Sequence, residues 1–123
     1  MVNYPKLKKT WIFDLDGTLV IHGGYLNSGK DDKLPGIDEL FKDIPKDDMI
    51  IIITGRPQSD KELTIKNLKE LNIRFDHIIF NAGKGARIIV NDTKPSGYKT
   101  AHCFGITRDA GINKDDLTFF MEL

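Results

Sequence analysis

Residues 11–19 read WIFDLDGTL. Trp11, Ile12 and Phe13 have the aromatic and β-branched character of a strand, which then ends on two carboxylates, Asp14 and Asp16, before Gly17 breaks it. With Thr10 in front, a strand is expected over residues 10–15, TWIFDL. Carboxylates at a strand end either cap a turn or serve a site, and the rest of the chain has to decide between the two.

Moving outward, MIIIIT at 49–54 is apolar on both faces, as a strand in a central parallel sheet covered by helices must be. Between the two strands, Pro35 opens a segment in which Ile37, Leu40, Phe41 and Ile44 recur at helical spacing, and Pro45 closes it. A short helix lying on the sheet follows from that pattern. After the second strand, Ser59 and Glu62 read as a capping box for a helix over about 60–72, with Leu63, Leu68 and Leu71 on its inner face. Further apolar runs stand at 77–81 (HIIFN) and 87–92 (RIIVND), with an edge-strand candidate at 101–106 (AHCFGI). Only Ala82 to Ala86 separate the first two, too few residues for a parallel crossover, so 77–81 is expected to be a stub at the sheet edge. Strands alternating with helices predict an α/β layered domain.

The segment 20–34, VIHGGYLNSGKDDKL, is rich in Gly, Asn, Asp and Lys and follows the carboxylate pair directly, which suits a flap over a site. In open α/β sheets ligands bind beyond the carboxyl ends of the strands. Asp14 and Asp16 end the first strand, Thr54 the second and Asp92 the run at 87–92, so these polar residues are expected to converge. Lys84 sits in a glycine-rich loop, AGKGA, where backbone can approach a ligand closely. A hard cation such as Mg²⁺ takes one or two carboxylates plus substrate phosphate oxygens, and Asp14 with Asp92 supplies that chemistry.

At 123 residues and 40% hydrophobic, the chain supports one core and one domain, 1–123. Lys plus Arg equals Asp plus Glu at 18 each, which excludes the basic field expected of a nucleic-acid or anionic-membrane binder. Cys103 is the single cysteine, so no internal disulfide forms, in keeping with a reducing cytoplasm. The opening MVNYPKLKKT lacks the long apolar region of a secretory signal, and no run is long enough to span a bilayer.

Asp14 to Thr18, DLDGT, resembles the first motif of the haloacid dehalogenase-like phosphatase superfamily at every position. IIITGR at 51–56 is similar to its second motif, Lys84 to its third, and IIVND at 88–92 to its acidic fourth. The similarity spans roughly residues 10–106 in order and spacing, and DLDGT is its most specific part. It implies a Rossmann-like three-layer sandwich with a mainly parallel central sheet, here without a cap domain. It further implies a Mg²⁺-dependent phosphomonoesterase: Asp14 attacks phosphorus and becomes an aspartyl phosphate, and Asp16 protonates the leaving oxygen and later deprotonates water. By the same resemblance Mg²⁺ is held by Asp14, the main-chain carbonyl of Asp16, and Asp92. The resemblance gives Gly17, Thr18, Thr54, Gly55 and Lys84 as the phosphate-binding set: Thr54 and Lys84 orient the phosphoryl oxygens, Gly17 turns the chain under the phosphate and Thr18 steadies that turn. Asn91 stands where the fourth motif commonly has a second acid, and Lys94 and Lys99 compete with Lys84 for the lysine role. Within the superfamily the chain is most similar to short phosphatase-like proteins of bacterial capsule or surface-sugar synthesis, through RIIVNDTKPSGYKTA at 87–101. The expected substrate is therefore a small phosphorylated metabolite such as a sugar phosphate.

Plainer readings stand beside these. TGR alone is a common turn, and Arg56 is more simply a solvated cation than a substrate ligand. The loop at Lys84 is no Walker A sequence, which would need Gly at 78 and Ser or Thr at 85 where Ile78 and Gly85 stand. His22, His77, His102 and Cys103 lack zinc-ligand spacing. His22 reads as an exposed loop residue, and His102 with Cys103 as packing residues of the edge strand. Leu117, Phe119, Phe120 and Met121 are expected to pack on the sheet, with a homo-oligomer contact as the second explanation. Two rivals to the phosphatase remain: a non-catalytic phosphate- or metal-binding regulatory module, and a receiver-like phosphoacceptor domain. Neither needs an acid two residues after Asp14.

Overall fold

The structure, a computed structural model, describes residues 7–123; the first six residues of the N-terminal run read above lie outside the described residues. Strand β1 (Thr10–Asp14), helix α1 (Tyr25–Ser28), helix α2 (Ile37–Asp43), strand β2 (Met49–Ile53), helix α3 (Lys61–Glu70), strand β3 (His77–Ile79) and helix α4 (Thr118–Met121) follow one another along the chain. The three strands form one parallel sheet in the order β1-β2-β3, with Trp11 opposite Ile50, Phe13 opposite Ile52 and Ile52 opposite Ile78. This is an α/β arrangement, and β3 is the expected short stub at the edge.

Phe13, Ile50 and Ile52 share one face of the sheet and are buried with Ile37, Leu40 and Leu68 from α2 and α3. The other face is half covered, with Ile12 47% and Ile79 49% exposed, so β2 alternates buried and half-buried residues where full burial on both sides was expected. Helix α2 starts after Pro35 and ends before Pro45 as its sequence requires, with Asp38 and Glu39 in the first turn and Lys42 in the last to complement its dipole.

Three local readings are corrected. Helix α3 has Asp60 as N-cap with no side-chain capping bond, and a 3-10 turn (Gln58–Asp60) precedes it, so Ser59 and Glu62 form no capping box. The Asp60 carboxylate instead accepts the Tyr25 hydroxyl at 2.9 Å. The inner face of α3 is Thr64, Asn67 and Leu68, while Leu63 is exposed. The runs at 87–92 and 101–106 form no strand among the described residues. Ile88 and Val90 are 84% and 92% exposed, and the only pairing nearby is an isolated bridge between Thr93 and Lys99. A strand gains by hydrogen bonding to a neighbour, and the short connection after β3 cannot carry the chain back for parallel pairing there. Cys103 is therefore exposed, and His102 meets Phe119 and Phe120 edge-on at 5.7 and 5.5 Å instead of sitting in an edge strand. Leu117 is buried in the core, with Phe120 and Met121 packed against it and Phe119 exposed.

Asp48 closes the start of β2 onto β1, accepting the Lys9 N–H and the Trp11 indole N–H, each at 3.0 Å, with the Lys9 ammonium at 3.4 Å. Burial pushes its carboxyl upward, but these hydrogen bonds and the Lys9 charge outweigh burial and hold it below the usual carboxylate range. A depressed folded-state pKa adds stability that is complete above the unfolded value, about 4, and is lost as pH falls through the lower folded value. Asp48→Asn should cost about 2 kcal/mol at neutral pH and flatten the loss of stability below about pH 4. Urea titrations across that range check it; an unchanged acid limb in the variant would contradict the role.

Candidate active site

The DLDGT segment leaves the carboxyl end of β1 and folds at once into a tight turn. The Thr18, Leu19 and Val20 N–H groups converge on the Leu15 carbonyl at 3.3, 3.0 and 3.2 Å, and the Gly17 N–H donates to the Val20 carbonyl at 2.7 Å. Gly17 is required twice over. Its φ of +85° is left-handed, and a Cβ there would lie 2.9 Å from Arg108 Cγ, whose side chain crosses the turn. The same crossing is held by the Asp109 N–H donating to the Gly17 carbonyl at 2.9 Å and by the Asp109 carboxylate accepting the His22 N–H at 2.8 Å.

The two carboxylates of the motif face different surroundings. Asp14 is half exposed; the Thr18 hydroxyl donates to its Oδ2 at 3.2 Å, and Arg87 lies 3.9 Å from its Oδ1. Asp16 faces Arg56, whose Nε and Nη2 donate to its two oxygens at 3.0 and 2.8 Å. Arg56 is buried, which corrects the solvated reading. Its Nη1 and Nη2 also donate to Asp31 at 3.0 and 2.7 Å, Nη1 donates to the Thr64 hydroxyl at 3.2 Å, and the Tyr25 ring covers the guanidinium at 3.7 Å. Burial pulls the guanidinium pKa down, but hydrogen bonds and charge from Asp16 and Asp31 raise it further, so the net shift is upward and Arg56 is a fixed cation. Burial, with the hydrogen bond to Asp60 second, likewise raises the Tyr25 phenol, which stays a donor.

Thr54 is buried at the end of β2, where its hydroxyl accepts the Arg56 N–H at 3.1 Å and its backbone pairs with Ile79 and Ala82. Gly55 is exposed beside it, and a Cβ there would stand 3.2 Å from the Ala82 carbonyl. Asp14, Asp16, Gly17, Thr18, Thr54 and Gly55 thus lie on the loops that leave the carboxyl ends of the two paired strands.

No ion pair among the described residues links the remaining expected residues to this group. Lys84 is exposed, and no ion pair among the described residues ties it to Asp14 or Asp16. Lys94 lies 5.7 Å over the Tyr98 ring, and Lys99 is exposed. The AGKGA loop instead wraps Arg87, whose Nη1 donates to the Gly83 and Gly85 carbonyls at 2.7 and 3.1 Å. Asp92 is exposed, and its carbonyl accepts the Thr100 hydroxyl. No three carboxylate, imidazole or thiolate groups gather as a metal cluster among the described residues. Asp14 offers a half-exposed carboxylate of the hard type a magnesium ion prefers.

Segment 20–34 is bolted down: Asp31 has a fully buried side chain on Arg56, and Asn67 of α3 donates to both the Gly29 carbonyl and Asp31 at 3.0 Å. Arg56, Asp31 and Arg87 were missed as participants in sequence. The available signal was the pair of polar residues, Thr64 and Asn67, on the inner face of an amphipathic helix, which announces something polar buried beneath it. No helix among the described residues is long and apolar enough to cross a membrane. The chain matches no family model, no curated protein and no solved structure.

Proposed function

We propose that the protein is a phosphomonoesterase of the haloacid dehalogenase-like type, acting on a small phosphorylated metabolite such as a sugar phosphate through an aspartyl phosphate. The observation that carries this reading is the inequality of the two DLDGT carboxylates: Asp14 open beyond the strand, Asp16 held in a fork by Arg56. The open carboxylate is free to reach a phosphorus atom, and the forked one is held in a fixed direction from which to exchange a proton.

In the first step an Asp14 oxygen forms a bond to phosphorus as the bond to the leaving oxygen breaks, and Asp16 supplies the proton which that oxygen takes up. In the second, Asp16 removes a proton from water as the water oxygen bonds to phosphorus, releasing phosphate and restoring Asp14. Each Asp16 oxygen accepts one hydrogen bond from Arg56 and keeps a further lone pair for the proton it carries. The Thr18 hydroxyl steadies Asp14, and Arg87 offsets the repulsion between a carboxylate and a phosphate dianion. Mg²⁺ belongs to this proposal as the charge that would further neutralise the phosphoryl oxygens, with Asp14 its ligand in the described arrangement. No ion pair among the described residues links Asp92 to Asp14 or Asp16, and no step is routed through the metal. The Rossmann-like three-layer form and the capless assignment belong to the same proposal, as does a role in surface-sugar synthesis.

A phosphate-binding module without turnover is the second reading, favoured by the Arg56 fork, which engages both oxygens of the Asp16 carboxylate that turnover needs as a proton carrier. A screen of sugar phosphates, nucleotides and an aryl phosphate, each with Mg²⁺ and with chelator, separates the two. Turnover that needs Mg²⁺ supports the phosphatase. Phosphate binding without turnover on any substrate supports the module and sinks the enzyme.

A further inference from the structure

We propose that Arg56 is a positioning residue for Asp16, and that Asp31 from segment 20–34 is the anchor that holds Arg56 in that role. This inference rests on the phosphatase reading and adds to it the parts that aim the proton carrier.

A guanidinium has five N–H donors. In Arg56 all five are engaged: one from Nε and one from Nη2 to Asp16, one each from Nη1 and Nη2 to Asp31, and the last from Nη1 to Thr64. Arg56 therefore has no donor left for a substrate anion, and the Tyr25 ring occupies one face of it. Its site-facing product is the orientation of Asp16: two parallel bonds of 2.8 and 3.0 Å hold the carboxylate in the plane of the guanidinium.

The rear of the guanidinium is held just as tightly. The Asp31 side chain is 0% exposed and takes bonds from Arg56 and Asn67, so the plane cannot turn without breaking buried, charge-assisted bonds. Segment 20–34 thus carries a strut running from α3 through Asp31 and Arg56 to Asp16. A lysine at 56 would keep the charge but present a point donor in place of the planar fork, leaving Asp16 free to rotate.

Single-turnover cleavage of an alkyl phosphate and an aryl phosphate by wild type, Arg56→Lys, Asp31→Asn and Asp16→Asn tests the role. An alkoxide leaving group needs a well-placed proton and an aryl oxide scarcely does. Arg56→Lys and Asp31→Asn should therefore lower alkyl cleavage about 10- to 100-fold, aryl cleavage less than about 3-fold, and KM hardly at all. Adding Arg56→Lys to Asp16→Asn should lower alkyl cleavage no further. Equal losses on both substrates would mean a structural role only and overturn the proposal.

A readout independent of turnover covers variants that fold poorly. In the wild-type protein the Arg56 Nε–H should give a slowly exchanging NMR signal that moves in Asp16→Asn. Its absence, with wild-type turnover intact, overturns the positioning role. Its presence in a wild-type protein that cleaves no phosphate ester overturns the phosphatase reading instead.

Discussion

Asp14→Asn should abolish phosphatase turnover, lowering kcat/KM by about 10⁴-fold or more while leaving the thermal midpoint almost unchanged. The two halves of this expectation have different causes. An amide oxygen lacks the charge that lets a carboxylate attack phosphorus, so the loss falls on the covalent step itself. The native carboxylate is half exposed, and its partners are a Thr18 hydroxyl and the distant edge of Arg87. Surface changes of that kind shift stability by less than about 0.5 kcal/mol. Steady-state kinetics on the best substrate from a screen, beside a thermal melt, measures both. Turnover within about tenfold of wild type would exclude the aspartyl phosphate.

The largest expected effect on stability lies outside the DLDGT turn. Gly36, at φ +82°, precedes α2, and a Cβ there would meet the Ile112 carbonyl oxygen at 1.7 Å. Gly111, at φ +83°, has the reciprocal relation to Pro35, whose carbonyl would lie 2.3 Å from an added Cβ, and the Ile112 N–H donates to that carbonyl at 3.0 Å. Two backbones pass here at a separation that admits no side chain. Gly36→Ala should cost about 3 kcal/mol or more, from the left-handed backbone and the displaced clasp together. Gly97→Ala is the control, since Gly97 has φ +90° and nothing within 4 Å of an added Cβ, and should cost only about 1–2 kcal/mol. Urea unfolding gives both values; a Gly36→Ala loss no larger than that of Gly97→Ala would refute the clasp.

What was legible in the sequence was whatever local pattern controls. The apolar runs of β1 and β2 and the two prolines around α2 are decided by neighbours along the chain. The run at 87–92 has the composition of a strand, but a strand exists only where another backbone offers it bonds, and Ile88 and Val90 are left in solvent. The site divides along the same line. DLDGT and Thr54 announce themselves within a few residues, whereas the Arg56 cluster is assembled from residues 16, 31, 56 and 64, and no local pattern joins those positions. Asp60 shows the same competition on a smaller scale, because Tyr25 takes the carboxylate that was free to cap α3.

Arg87 beside Asp14 and Arg108 across Gly17 belong to distant stretches of a chain with no net charge, yet both stand at the mouth of the same turn. A neutral molecule with cations gathered at one opening attracts anions only at short range, within about 10 Å at 0.1 M ionic strength. For the proposed phosphatase this means encounter without long-range steering: a small anionic substrate would be drawn in over the last stretch of diffusion, while a polyanion would find no extended field to follow.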